Sequence, residues 1–404
     1  MARAIVLGGC GVVGSVALKT LALHDLFSEV RIGDLNLEKA RQLASALSSS
    51  RVSAVKLHAD DPDSIREAIR GCDIVLNCVG PFYKTVKTVL ETVIGAGIPY
   101  VDICDDVDVT LDIFRLDADA KRAGITALIG MGASPGATNL FAKFVADNLL
   151  DETDSIDIFH THGGEPVEGP GVIGHRFHCM SIDIPMFLNG ELKYVKFFEP
   201  DGLALRQTFD FPVVGTVPVF PYPHPEQVTL PKYIKTRQVT NKGSVLPIEY
   251  YELISTLCRA GLARKEPLQV GDRQVVPHDF AVAYIIRERD RILRAQNFGE
   301  QRGAMSVIVK GRKEGAYREY RIHSASRGRA LGEGTGVPAA MGAILLQQGK
   351  VTAKGVLPPE ACVAPADFFA LYKQLGADRA EGDKEGGLLA EMVDENGKVA
   401  PIQI

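Results

Sequence analysis

Three carboxylates stand within five residues at Asp102, Asp105 and Asp106, with a thiol, Cys104, between them. Like charges this close raise one another's proton affinity, so at least one of the three can titrate near neutrality and move a proton. The same patch would welcome a cationic amine. A solvated acidic turn that caps the next helix is the alternative reading, and Cys104 reads either as a proton donor or substrate contact or as a buried structural thiol.

A second group of titratable side chains follows. Gly169-Pro170-Gly171-Val172-Ile173-Gly174 leads into a helix that carries His175 and His178 on one face, while His160 and His162 alternate along a strand at 155–161. Four of the chain's nine histidines thus fall within nineteen residues, which fits a substrate pocket or ordinary half-buried rings. Arg176 is the candidate for bidentate pairing with a substrate carboxylate. No acid or thiol stands at ligand spacing beside the histidine pair, so no metal site is expected. Lys242, read as a turn residue after a strand at 233–240, is a further candidate for a carboxylate. Tyr83 and Lys87 have the Tyr-x-x-x-Lys spacing of the short-chain dehydrogenase dyad, but they come too early in the chain for it. Tyr83 alone remains a catalytic candidate facing a nicotinamide or a substrate.

These groups need a scaffold, and the N-terminus supplies one. Ala4-Ile5-Val6-Leu7 reads as a buried parallel strand, followed at once by Gly8-Gly9-Cys10-Gly11-Val12-Val13-Gly14 and an amphipathic helix over 15–24. Gly9, Gly11 and Gly14 match GxGxxG: a tight turn, a close backbone approach to a pyrophosphate, and close helix–strand packing. Val12 and Val13 open the helix whose free N–H groups would face the phosphates. A second strand at 29–33 ends in Asp34, twenty residues after Gly14, where an acid accepts from the adenosine ribose. Asp34 repels a 2′-phosphate and Leu35-Asn36 offer no arginine, so NAD is expected over NADP. Strands at 52–57, 73–79, 99–102 and 126–129, with helices at 63–69, 86–96 and 117–123, continue the rhythm. Asp60 or Asp61 either contacts the adenine or caps the helix beginning at Pro62. Asn77, Gly80 and Pro81 end the fourth strand, on the nicotinamide-ribose side. The fold class is therefore α/β, a doubly wound parallel Rossmann sheet with a second, mixed-sheet α/β domain. Residues 305–311 and 317–323 read as a hairpin of that second sheet.

Composition bounds the function. A formal charge of -5 gives no case for a nucleic-acid partner, and no apolar run approaches the roughly 18 residues of a membrane span. The seven scattered cysteines form no CxxC pair, as expected for free thiols in a reducing cytoplasm, and the first strand runs into glycines rather than forming a signal peptide.

Gly130-Met131-Gly132-Ala133-Ser134-Pro135-Gly136, with Tyr100-Val101-Asp102 before it, resembles the Gly-x-x-Pro-Gly region of the saccharopine dehydrogenase family. Gly334-Thr335-Gly336-Val337-Pro338 and Lys354-Gly355-Val356-Leu357-Pro358-Pro359-Glu360 resemble its closing pattern. The resemblance implies a Rossmann domain at 1–130, a substrate and dimerisation domain at 131–330, a return of 331–375 to the first domain, and a homodimer; His175, placed after the glycines as in the family's substrate-domain helix, is then the candidate for proton transfer. The remaining 376–404 reads as a flexible tail, and the segment starting at Gly334-Thr335-Gly336 as a helix whose N-terminus closes on the nicotinamide or is simply capped by Thr335. The implied activity is NAD-dependent oxidation, or reductive formation, of a C–N bond in an amino acid or amine such as saccharopine or lysine. A carboxynorspermidine-type polyamine enzyme and a non-catalytic NAD-binding sensor are the alternatives.

Overall fold

The computed structural model describes residues 1–329, 331–377 and 386–404. The N-terminal half alternates β1 (Ala2–Leu7), α1 (Val12–Leu23), β2 (Phe27–Asp34), α2 (Leu37–Ala46), β3 (Val52–Lys56) and α3 (Pro62–Ile69). It continues through β4 (Ile74–Asn77), α4 (Phe82–Ala96), β5 (Tyr100–Asp102), α5 (Val107–Ile113), α6 (Asp117–Arg122) and β6 (Thr126–Leu128). Ile5, Val6, Leu7, Ile74, Val75 and Leu76 are fully buried, as strands covered by helices on both faces must be. Each such side chain contributes roughly 1.5–3 kcal/mol by leaving water.

The second half runs α7 (Ala137–Asn148), β7 (Glu152–Gly163), α8 (Pro170–Ser181), β8 (Asp183–Leu188), β9 (Glu191–Lys196) and α9 (Pro200–Leu203). Then come β10 (Gln207–Phe211), β11 (Gly215–Pro221), α10 (Glu226–Tyr233), β12 (Gln238–Leu246) and α11 (Ile248–Arg259). A small hairpin, β13 (Leu268–Val270) and β14 (Arg273–Val275), precedes α12 (Pro277–Ala295), β15 (Arg302–Lys313) and β16 (Ala316–Arg327). The chain closes with α13 (Leu331–Gln347), β17 (Gly355–Leu357), α14 (Pro359–Cys362), α15 (Pro365–Ala377), β18 (Gly386–Asp394) and β19 (Val399–Pro401).

The first sheet is parallel throughout, in the order β17-β6-β5-β4-β1-β2-β3. Its order reverses at β1, between β2 and β4, which is where doubly wound sheets open a crevice at their carboxyl edge. The second sheet has ten strands and is mixed: β7 lies parallel to β12 and antiparallel to β15. Ile156, Ile158, Val239, Val307 and Val309 on one of its faces join Leu140, Phe141 and Val145 of α7 in a core continuous with that of the first sheet. The two halves are therefore packed together by a shared apolar layer.

Three expectations change. Residues 386–404 are not part of a flexible tail: β18 pairs antiparallel with β16 along its whole length, and β19 pairs with β18. The remainder of that stretch, 378–385, lies outside the described residues. The segment at Gly334-Thr335-Gly336 does not begin a helix but lies inside α13, which starts at Leu331. A Cβ on Gly336 would stand 2.7 Å from Val13 O and 2.9 Å from Val16 Cβ, so this glycine lets α13 lie against α1. Lys242 is not in a turn: it occupies the middle of β12, paired with Phe159 of β7.

Candidate active site at the domain junction

At the carboxyl edge of the first sheet the glycine turn takes the form its residues require. Gly11 is exposed and caps α1 in extended conformation, leaving the first amides of α1 unmatched by any side-chain cap. Those amides and the helix dipole make an anion site. A Cβ on Gly14 would lie 2.2 Å from Gly8 O, so the turn closes only without one. Val12 is exposed and Val13 half-buried beside them, and Gly9 is buried against Ile32. Asp34 ends β2, where its Oδ2 accepts from Cys10 N at 3.0 Å and its Oδ1 from Asn36 N at 3.0 Å. Asp34, Leu35, Asn36, Leu37, Glu38 and Lys56 line an open pocket of about 620 Å³. These features fit a dinucleotide: amides and a close backbone for the pyrophosphate, an acid and a pocket for the adenosine end.

The other expected cofactor positions fall along the same edge. Asn77 ends β4 fully buried, donating to Tyr100 Oη at 2.9 Å and accepting from Val79 N at 3.0 Å. Gly80 is exposed, and Pro81 caps α4. Asp60 is exposed in the turn after β3, while Asp61 caps α3 by accepting from Asp63 N.

The carboxylates after β5 divide into two roles. Asp102 is fully buried, and its Oδ1 accepts from Gly130 N at 2.7 Å and Cys104 N at 3.0 Å. Burial pushes its carboxyl up to about 6 against those two bonds. The expectation that Asp102 itself reaches the substrate is corrected: it pins the β5–α5 and β6–α7 loops behind the cleft. Cys104 is likewise buried, its thiol raised well above the usual range by burial and by Asp102. It is a structural thiol. The β6–α7 loop that Asp102 holds is itself tight, because Gly132 N bonds Pro135 O and Ala137 N bonds Gly132 O. Gly136 sits at φ 128, and a Cβ there would lie 2.0 Å from Gly132 O. That is the physical content of the Gly-x-x-Pro-Gly spacing.

Asp105 and Asp106 face the second half of the chain. The helix α8 brings His175 between them, with Nε2 3.3 Å from Asp105 Oδ2 and Nδ1 3.0 Å from Asp106 Oδ1. Asp106 also accepts from Tyr83 N at 2.9 Å, in the first turn of α4. Burial works against the imidazolium, but Asp105, the Cys179 thiol and the Asp106 hydrogen bond override it and raise His175 well above the usual imidazole range. Burial raises Asp105 while His175 opposes the shift. Cys179 Sγ lies 3.3 Å from His175 Nε2. One turn on, His178 Nε2 meets Asp108 Oδ2 at 3.1 Å and its ring stacks on Tyr83 at 4.5 Å. Burial and Asp106 raise the Tyr83 phenol, so it is a donor rather than a base. The first turn of α8 approaches the cofactor edge directly, since a Cβ on Gly171 would be 3.9 Å from Pro81 Cδ.

The acids that partner the histidines come from residues 105–108, about seventy positions away in sequence, which local spacing does not reveal. Asp105, Asp106 and His175 offer one ligand atom each within 4.8 Å, as do Asp106, Asp108 and His178. In the structure the ring nitrogens are engaged in ion pairs with the acids, an arrangement suited to proton transfer.

Two expected substrate contacts fall elsewhere. Arg176 points away from His175 into the interior, 2% exposed, paired with Glu168 and bonded to Tyr250 Oη at 3.2 Å. Its charge is already compensated. Lys242 lies on the opposite face of the second sheet from His160, lining a separate cavity of about 810 Å³, with its Nζ on Gln207 at 2.7 Å. Sequence reasoning passed over Tyr222, His224 and Glu226. Tyr222 is buried with its ring 6.5 Å from that of His175 and 5.0 Å from that of His160. Their signal was the run Pro221-Tyr222-Pro223-His224-Pro225-Glu226, where three prolines end a strand and leave an aromatic, an imidazole and an acid in one loop.

The model of the saccharopine dehydrogenase NADP binding domain matches residues 4–128. Carboxyaminopropylagmatine dehydrogenase of Synechocystis sp. is 24% identical over 400 residues, covering 93% of this chain and 96% of that protein. Carboxynorspermidine synthase of Vibrio alginolyticus is 23% identical over 411 residues, covering 92% and 95%. Among solved structures, apo saccharopine dehydrogenase (L-Glu forming) from Saccharomyces cerevisiae shares the fold, with a TM-score of 0.69 at 14% identity, over 97% of this chain and 100% of that one. Among the described residues no helix is long and apolar enough to cross a membrane. With a Rossmann sheet, a mixed second sheet and these matches, the chain is similar over its length to oxidoreductases of the saccharopine dehydrogenase family, whose NADP binding domain its residues 4–128 match.

Proposed function

We propose that this chain is an NAD-dependent dehydrogenase that forms or oxidises the C–N bond of a secondary amine joining a carboxyl-bearing group to a polyamine. The observation that carries the reading is His175 held between Asp105 and Asp106 where α8 meets the cofactor edge. Relatives named for carboxyaminopropylagmatine and carboxynorspermidine favour an amine of this class over lysine or saccharopine.

The chemistry asks for two proton movements at one place. An amine adding to a carbonyl loses a proton from nitrogen, and the oxygen gains protons before it leaves as water. The His175 imidazolium donates to that oxygen, and the Asp105 carboxylate, part exposed to the cleft, takes the proton from nitrogen. Asp106 fixes the ring through Nδ1 and ties it to the backbone amide of Tyr83, which holds α8 and α4 in register. Asp105 and Asp108 give the cleft the negative charge a polyamine needs. The nicotinamide, when bound, supplies or accepts the hydride.

NAD is favoured over NADP by the pocket beside β2, where Asp34 and Glu38 face the adenosine end and Lys56 is the one cation among the six lining residues. The test is a substrate panel of carboxynorspermidine, carboxyaminopropylagmatine, saccharopine and lysine with both cofactors, followed by nicotinamide absorbance. Turnover of a carboxyalkyl polyamine with NAD is expected. Tight cofactor binding with no turnover of any of the four would overturn the assignment.

A further inference from the structure

Behind the cleft lies a second buried polar unit that the His175 cluster does not use. Glu226, in the first turn of α10, is fully buried. Three donors converge on its Oε1: Ser134 Oγ at 2.5 Å, Thr138 Oγ1 at 2.9 Å and Asn241 Nδ2 at 3.3 Å. Its Oε2 has no hydrogen-bond partner and stands 3.7 Å from His224 Nδ1. That nitrogen in turn contacts Ser134 Oγ at 3.1 Å and Asn241 Nδ2 at 3.3 Å. The His224 ring stacks on His160 at 5.0 Å, and Tyr222 stands edge-on to both, with its other side toward His175. One carboxyl group thus joins the β6–α7 loop, β12 and the loop that carries Tyr222.

The charges around this carboxyl do not favour an anion. Burial holds His224 well below the usual imidazole range and His160 down to about 3, so neither ring is a cation. Among the described residues the other ionisable group facing Glu226 is Glu360 on α14, itself buried and bonded to Asn139 Nδ2 at 2.8 Å, with Lys143 acting on Glu360 from α7. An anion with no countercharge in such a place is costly, whereas a carboxylic acid carries its proton on the orphaned oxygen and leaves Oε1 to accept from the three donors. We propose that Glu226 is a positioning residue that works as a neutral acid, locking Ser134 and His224 into one hydrogen-bonded unit whose ionisation releases Tyr222 beside His175. Burial, outweighing the Ser134 and Thr138 hydrogen bonds, pushes Glu226 up to about 7, which puts the release just above neutrality.

The first test needs no substrate. A carboxyl whose folded value lies above its unfolded value costs nothing below the unfolded value, and its cost grows until pH passes the folded one. Glu226→Gln cannot ionise, and its amide keeps an acceptor for the three donors and a neutral group in place of the orphaned oxygen. Its thermal midpoint should therefore gain on the wild type as pH rises from about 4.5 to about 7, then run parallel above. A gap that is flat across that window overturns the proposal. Should the variant not fold, infrared spectra of the unmodified protein take its place: a protonated-carboxyl band should outlast the titration of Asp102 near 6 and vanish with a midpoint near 7, and loss of all such absorbance with a midpoint near 6 overturns the idea. The second test rests on the dehydrogenase reading. The wild-type KM for the amine should climb through neutrality with kcat little changed, and that climb should be absent in Glu226→Gln. Equal slopes in both proteins refute the positioning role, while absence of any turnover refutes the function and leaves the stability test standing.

Discussion

In His175→Gln the side-chain amide keeps a hydrogen-bond donor near Asp106 but carries no titratable proton, so the variant separates positioning from proton transfer. General acid–base help is worth roughly 10²–10⁴-fold in rate. Turnover should therefore fall by about that factor, about 3–5 kcal/mol on the barrier. The same substitution has a cost in stability, because Asp106 has no exposed side-chain surface and loses its facing cation at 3.0 Å. Breaking a buried pair costs about 3–5 kcal/mol. The lower end is expected, since Asp106 keeps the Tyr83 amide and Asp105 is 31% exposed at its side chain. The pH dependence has a definite sign. His175 is raised on folding, so its stabilisation is complete below the unfolded imidazole value and is lost as pH rises through the raised one. The gap between wild type and variant in denaturant titrations should accordingly be widest at mildly acid pH and close in alkali. Adding Asp105→Asn to His175→Gln should recover stability without recovering turnover. Steady-state rates read by nicotinamide absorbance, with cofactor affinity read by fluorescence, complete the comparison. A kcat within about threefold of wild type at unchanged cofactor affinity would refute the assignment of His175 as the proton carrier.

Asp102→Asn preserves the acceptor for Gly130 N and Cys104 N but cannot ionise; with the wild-type carboxyl at about 6, the variant should be more stable near neutrality by about 3 kcal/mol at most, the advantage appearing between about pH 4 and 6. Turnover reduced more than about tenfold would return Asp102 to the reacting groups. Gly14→Ala drives a Cβ to 2.2 Å from Gly8 O, a backbone atom that cannot swing aside, so cofactor affinity should collapse and the thermal midpoint drop. Fluorescence titration that finds unchanged affinity would contradict the glycine turn as the phosphate site. Exchanging Asp34 for Ser together with Leu35 for Arg removes the repelling acid and adds a guanidinium at the pocket beside β2; the ratio of kcat/KM values should shift toward NADP. An unshifted ratio would place the 2′-hydroxyl elsewhere.

How much of this was legible depended on whether the information was local. The strands of the first sheet read from sequence because burial on both faces demands apolar runs, and the glycine turn and Asp34 fall at fixed offsets from the first of them. The hairpin of β15 and β16 read for the same reason, its turn lying between its own strands. That the second sheet is mixed was legible too, but which strands pair in it was not, because β7 finds its neighbours β12 and β15 more than eighty residues away. Lys242 shows the failure in miniature. Asn-Lys-Gly has turn composition, yet Gly243 is there because the His160 ring occupies its side-chain space, with a Cβ falling 2.1 Å from that ring. Arg176 looked free because Glu168 and Tyr250, which engage it, are invisible to spacing along a helix.

The site residues follow the same logic one level up. Asp105 and Asp106 belong to a loop of the first domain and His175 to a helix of the second, so neither element holds the acid–base group alone. Asp106 is the joint. It takes the Tyr83 amide in the first turn of α4, two residues after the Pro81 expected at the nicotinamide, and the Nδ1 of the ring expected at the substrate. Through that one carboxylate, the position of the proton carrier is set by the same helix end that borders the cofactor edge. A change that moved α8 against α4 by an ångström would therefore misplace the proton relative to the hydride, and rate would suffer before binding did.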